Sequence, residues 1–262
     1  MQIIAHRGAS AEAPENTLAA FRRALELGVG MIELDVHLTS DGIPVVIHDE
    51  TLSRTSDGKG AVSDLPLERV RGFSAGGWYG GSFREERIPT LAEVYELVGD
   101  RAEINVEIKG EAEETAEGAL GVVNGAGAIA GTLFSSFEPP ALERIRASSA
   151  SARLALLLGP GSPGDADTLL SGDPGARVLA QVARWEPLRL EGVNLHRMFA
   201  SAGLVEALHE RNLRVRVYTV DSLRSVRAMA RMEVDGVFTN DPAPLLRHWP
   251  AEDHRAASGH PT

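Results

Sequence analysis

One rhythm narrows the folds open to this chain more than any other feature: short β-branched, apolar runs alternate with longer Ala-, Leu-, Arg- and Glu-rich stretches along its whole length. Repeated β-α units of this kind build a parallel sheet or barrel, because parallel strands need a crossover of a dozen or more residues. Strands are predicted over Gln2 to Ala5, Met31 to Leu38, Glu103 to Ile108, Thr132 to Ser135, Arg153 to Leu158, Gly192 to Leu195, Arg214 to Thr219 and Gly236 to Thr239. Helices are predicted over Thr17 to Leu27, Leu91 to Val98, Ala112 to Asn124, Pro139 to Ala147, Val178 to Glu186, Ala202 to Arg211, Leu223 to Met232 and Pro242 to Trp249. Eight such pairs in 262 residues fit a single TIM (β/α)8 barrel of about 250 residues, spanning 1–250.

The first helix carries its own start and stop signals. Leu18, Phe21 and Leu25 recur near helical spacing, Glu15-Asn16-Thr17 offers N-cap chemistry, and Gly28 supplies a stop. Two segments break the rhythm. Asp49 to Pro89 holds the turn signals Ser56-Asp57-Gly58, Gly76-Gly77 and Gly80-Gly81 with the aromatics Phe73, Trp78, Tyr79 and Phe83. It is too long for a bare βα loop and reads as a small insertion after strand two, near the ligand. Gly159 to Ala176, rich in Gly, Pro, Ser and Asp, reads as a surface loop, and 251–262 as a disordered tail.

Composition removes several functions. Without cysteine there is no disulfide framework and no thiolate metal site, so any metal is held by oxygen or imidazole. A net charge of −11 argues against nucleic acid, which is held mainly by Lys and Arg. The first residues lack a signal-peptide pattern and no run reaches about 18 apolar residues, which reads as a soluble, cytoplasmic protein without stable membrane insertion. An anionic ligand would have to be attracted locally.

The strand period of two then locates the chemistry. In Met31 to Leu38, Ile32, Leu34, Val36 and Leu38 share one face while Glu33, Asp35 and His37 share the other. Glu103 to Ile108 repeats the device: Glu107 alternates with Val106 and Ile108 and joins Glu33 and Asp35 at the barrel mouth. Three carboxylates this close raise one another's pKa unless compensated, and a divalent cation on all-oxygen ligands, Mg²⁺ or Ca²⁺ with Mn²⁺ admissible, is the natural partner. His6 and Arg7 end the first strand, and His48 closes the apolar run Ile43 to Ile47. Two histidines titrating near neutrality can serve as general base and general acid, while Arg7 and Lys109 supply fixed positive charge suited to phosphoryl oxygens. His37 lacks such a context and reads as exposed; His196, His209, His248, His254 and His260 read as structural or surface residues.

With these residues in view, the chain resembles the glycerophosphodiester phosphodiesterase family, from Ile4 to about Pro242. The resemblance rests on an ordered series: His6-Arg7-Gly8, Pro14-Glu15-Asn16-Thr17, Glu33-Leu34-Asp35-Val36, Asp41 to Asp49, Leu52 to Gly58, Pro89-Thr90-Leu91, Val106-Glu107-Ile108-Lys109 and Asp235 to Pro242. It implies a TIM barrel with an inserted subdomain after strand two. It also implies Glu33, Asp35 and Glu107 as metal ligands, His6 and His48 as the acid/base pair, and Arg7 and Lys109 as phosphate holders. Glu15, Asn16 and Tyr218 would line the site, although Asn16 is equally suited to cap the first helix. Serine stands at position 53 where an aspartate is common in the family. Tyr218 and Asp221 depart from its usual tryptophan and later asparagine, which bears on the wall and hydrogen bonding around the alcohol.

The expected activity is metal-dependent hydrolysis of a small glycerophosphodiester to sn-glycerol 3-phosphate and an alcohol. Alternatives are a lysophospholipid or phosphoinositide phosphodiesterase on the same barrel, whose apolar entrance would need the insertion aromatics, and a non-catalytic glycerophosphodiester-binding protein. Oligomeric state is not legible in the sequence.

Overall fold

The structure, a computed structural model, describes residues 1–110, 112–160 and 173–249. Eight parallel strands form a closed barrel: β1 (Gln2–His6), β2 (Met31–Leu38), β4 (Glu103–Ile108), β5 (Thr132–Ser136), β6 (Arg153–Leu158), β7 (Gly192–His196), β8 (Arg214–Tyr218) and β9 (Gly236–Thr239). Closure comes from β1, which pairs with both β2 and β9. Helices cross between strands, as the sequence rhythm requires: α1 (Leu18–Leu27), α3 (Leu91–Val98), α4 (Ala112–Gly125), α5 (Pro139–Ser148), α6 (Pro174–Arg184), α7 (Ala202–His209) and α8 (Leu223–Arg231), and α9 (Pro242–Leu246) follows the last strand. No described helix is long and apolar enough to cross a membrane.

Strand alternation sorts side chains into two regions. Ile32, Leu34 and Val36 of β2, with Ile104, Val106 and Ile108 of β4, face outward and pack with Phe21, Leu91 and Val94 of the helices in one continuous apolar layer. The inner face holds a small apolar plug of Ile4, Met31 and Phe238, with Tyr218 against it, and above it the polar residues of the mouth. Most element ends agree with the pattern to within a residue or two. One strand was not anticipated: β3 (Pro44–Val46) runs antiparallel to the end of β2, pairing Val36 with Val46 and Leu38 with Pro44. It turns the chain back over the mouth and delivers His48.

After β3 the segment to Ile88 contains α2 (Leu67–Val70) and builds its own cluster from Val45, Ile47, Leu52, Val62, Val70, Ala75 and Ile88. The loop expected over Gly159 to Ala176 overlaps a helix at its end. Pro174 to Ala176 belong to α6, with Asp173 as N-cap accepting from Gly175 N–H and Pro174 in the first turn. Residues 161–172 of the expected loop segment and the expected tail at 251–262 lie outside the described residues.

Candidate active site

The parallel register assembles the site. His6 of β1 lies beside Glu33 of β2, which lies beside Asn105 of β4, and one step further along Asp35 pairs with Glu107. The ligand-type oxygens of Glu33, Asp35 and Glu107 fall within 4.8 Å of one another, and all three residues are buried. Each retains one buried oxygen without a hydrogen-bond partner: Glu33 Oε1, Asp35 Oδ1 and Glu107 Oε1. Buried polar atoms are ordinarily satisfied, and three carboxylates gathered here, met only in part by the ion pairs of Arg7 and Lys109, leave acceptor capacity for a further positive partner. Carboxylate oxygens without sulfur or nitrogen fit a hard divalent cation.

Two basic side chains partly balance this charge. Arg7 donates its backbone N–H to Glu33 Oε2 at 2.9 Å and brings Nε within 3.1 Å of Asp35 Oδ2. Lys109 Nζ stands 3.3 Å from Asp35 Oδ1 and touches Glu107 Oε1. Each carboxylate oxygen has two lone pairs and Lys109 can occupy only one on Asp35 Oδ1 and one on Glu107 Oε1, so both oxygens keep capacity for a cation. Asn16 adds a hydrogen bond from Nδ2 to Asp35 Oδ2 at 2.9 Å. Burial pushes the Glu33 carboxyl up to about 8, aided by the neighbouring Asp35 charge. Burial likewise pushes Glu107 up to about 7 against the pull of Lys109. For Asp35, burial acts upward too, but Arg7 and Lys109 outweigh it and hold the carboxyl well below the usual range. One carboxylate therefore stays charged while its two neighbours prefer a proton in the absence of a cation.

Both expected histidines line the same cleft, of about 320 Å³, together with Arg7, Glu33, Glu107 and Lys109. His6 Nδ1 bonds Asn240 Oδ1 at 2.7 Å, and its Nε2 lies 4.0 Å from Glu33 Oε2. His48 Nδ1 bonds Asp49 Oδ1 at 2.6 Å. Burial lowers the pKa of both rings; Arg7 adds to this at His6, and the Asp35 charge opposes it at His48. Tyr218 does line the cleft, in a wall with Phe137, His196 and Phe238 whose rings meet it edge-on at 5.5 to 6.4 Å. A larger cleft of about 750 Å³ opens at the other end of the barrel beside Gln2, Glu103 and Arg216, away from all of this chemistry.

Several expectations need correction. Asn16 does not cap α1; Thr17 does, accepting from Ala20 N–H, while Asn16 takes φ 56° and turns its amide to Asp35. Glu15 stands behind the cations, receiving Arg7 at 2.8 Å and both Nη atoms of Arg54 at 2.9 Å. His37 is buried, not exposed, and its Nε2 meets the carbonyl of His48 at 3.0 Å. His196 belongs to the cleft wall. Of the insertion aromatics none lines the cleft: Trp78 donates to Ala75 O, Tyr79 to Ala11 O, and Phe83 packs on Tyr79. Asp221, in the loop after β8, meets Thr239 and Asn240 and not the cleft.

Residue-by-residue reading gave no role to Asp49, Arg54 and Asn240. Asp49 orients His48 and is itself gripped by Arg54 at 2.7 and 2.9 Å, while Asn240 orients His6. Their signal was present in the ordered motif series, where all three are included, but ring orientation depends on contacts that spacing does not encode.

The sequence profile of the Glycerophosphoryl diester phosphodiesterase family matches residues 6–244. A glycerophosphodiester phosphodiesterase of Caldanaerobacter subterraneus subsp. tengcongensis is 37% identical over 254 residues, covering 93% of this chain and 96% of its own. Among solved structures, an Oleispira antarctica phosphodiesterase in complex with the product sn-glycerol-3-phosphate superposes with a TM-score of 0.81 at 30% identity, covering 94% of this chain and 96% of that one. A glycerophosphodiester phosphodiesterase from Thermotoga maritima superposes with a TM-score of 0.75 at 26% identity, covering 95% and 98%.

Proposed function

The chain belongs to the glycerophosphoryl diester phosphodiesterase family, and from that premise we propose that it is a divalent-metal-dependent hydrolase of small glycerophosphodiesters, releasing sn-glycerol 3-phosphate and an alcohol. The observation that carries this reading is the convergence, at one cleft, of Glu33 and Glu107 with two cations and two histidines each fixed at Nδ1, and of Asp35 clustered with the two glutamates just beneath. Glu33, Asp35 and Glu107 would hold the metal, which when bound supplies Lewis-acid polarisation of the phosphoryl group and a template for the glycerol end.

The remaining work falls to the chain's own side chains. Arg7 and Lys109 face the phosphoryl oxygens and offset the charge that builds there as the new P–O bond forms. One histidine takes the proton of the attacking hydroxyl, and the other gives a proton to the departing alkoxide as the old P–O bond breaks. A ring held at Nδ1 presents Nε2 for this transfer, and lowered pKa values keep a neutral ring available near neutral pH. The cleft admits a small diester, and the local positive charge of Arg7, Lys109 and the cation draws an anion despite the net −11. Incubation with glycerophosphocholine and Mg²⁺ or Ca²⁺ tests the reading: chelator-sensitive release of glycerol 3-phosphate is expected, and no release from any glycerophosphodiester would sink it.

A further inference from the structure

The two histidines of the cleft are held differently at Nδ1: His48 by a carboxylate, His6 by the amide of Asn240, 234 residues away in sequence. An amide can turn either its oxygen or its NH2 toward a ring, and the two choices demand opposite tautomers of a neutral imidazole. Asp221 makes the choice. Its Oδ2 accepts from Asn240 Nδ2 at 3.0 Å, and its Oδ1 accepts the Asn240 backbone N–H at 2.8 Å and the Thr239 hydroxyl at 3.1 Å. A carboxylate has no N–H to give, so the NH2 of Asn240 must face Asp221 and its oxygen must face His6. Ser10 lies on the other side, its single hydroxyl hydrogen shared between the His6 carbonyl at 2.9 Å and Asn240 Oδ1 at 3.1 Å.

We propose that Asp221 is a positioning residue that acts through Asn240 to fix His6 as its Nδ1–H tautomer, leaving Nε2 as the nitrogen turned to the reacting phosphodiester. The role in the reaction rests on the hydrolase reading above; the tautomer itself does not. Asp221 lines no part of the cleft, so it has no direct access to substrate. An asparagine at this position would keep one acceptor oxygen but turn a donor toward the second partner, so it would hold Asn240 less firmly.

Nitrogen-15 spectra of the Mg²⁺-loaded protein at pH 8, with His6 assigned from its absence in His6→Gln, read the tautomer directly. The wild type should show Nδ1–H at His6. In Asp221→Ala the ring should pass to a mixture of tautomers, and kcat should fall about 10- to 100-fold, as for other groups that orient a working side chain, with KM changed less than about twofold. Asp221→Asn should recover part of both. The proposal is overturned if wild-type His6 carries its proton on Nε2, if Asp221→Ala leaves the tautomer unchanged, or if the tautomer shifts and kcat does not. The wild-type tautomer is read without turnover. Failure to hydrolyse any diester would therefore remove the hydrolase reading while the link from Asp221 to His6 is still decided.

Discussion

Metal affinity should depend steeply on pH. Glu33 and Glu107 have their carboxyls pushed up to about 8 and about 7 by burial, so at pH 6 the metal-free protein carries a proton on both. An oxygen-binding cation must displace those protons, and affinity therefore rises with pH through this window and levels off above it. Raising the pH from 6 to 8 should tighten Mg²⁺ binding by two to three powers of ten, or roughly 3 to 4 kcal/mol at 1.36 kcal/mol per pKa unit. Near pH 6.5 binding should release between one and two protons, read by isothermal calorimetry in buffers of different ionisation enthalpy. The same shifts fix the sign for stability. Between about 4.5 and 8 the folded, metal-free state holds a Glu33 proton that the unfolded chain has lost, so metal-free stability falls as pH rises. Metal removes that penalty, so its stabilising effect grows over the same interval. A pH-independent Kd with no proton release would refute the reasoning.

Other expectations follow from single contacts. His6→Ala and Glu107→Ala should abolish turnover with far-ultraviolet circular dichroism unchanged, and full activity in either would remove the proposed site. Arg54→Ala removes two bonds from Asp49 and two from Glu15, leaving Asp49 held by His48 and Glu15 by Arg7, so kcat should fall about 10- to 100-fold in steady-state assays, while an unchanged rate would separate Arg54's grip on Asp49 from His48 function. Gly8 has φ 82°, and a Cβ there would lie 2.7 Å from the Ala20 backbone and Cβ. Gly8→Ala should cost about 2 kcal/mol or more in urea unfolding, whereas a neutral effect would contradict the close approach of this turn to α1.

What could be read from sequence was whatever the strand period encodes. Glu33, Asp35 and Glu107 were placed together because alternation fixes the face of each side chain and parallel pairing aligns adjacent strands. The barrel was legible because eight β-α pairs have few other ways to bury their apolar faces. Contacts closing over long separations were not legible. Asn240 reaches His6 only because β9 pairs with β1, and His37 meets His48 only because β3 folds back on β2. That strand is three residues long and opens with proline, too little for a periodic signal. Asn16 carried two compatible meanings, cap or ligand-side amide, and the neighbouring Thr17 took the cap. At Pro174 a Gly- and Pro-rich composition hid an Asp173 cap and a proline suited to a first helical turn.

Anomalous scattering from crystals grown with Mn²⁺ and sn-glycerol 3-phosphate tests the central claim most directly. A single strong peak bounded by Glu33, Asp35 and Glu107, with the phosphate against Arg7 and Lys109, is the predicted result. An ion bound elsewhere with those three carboxylates free, or a phosphate seated away from His6 and His48, would contradict it.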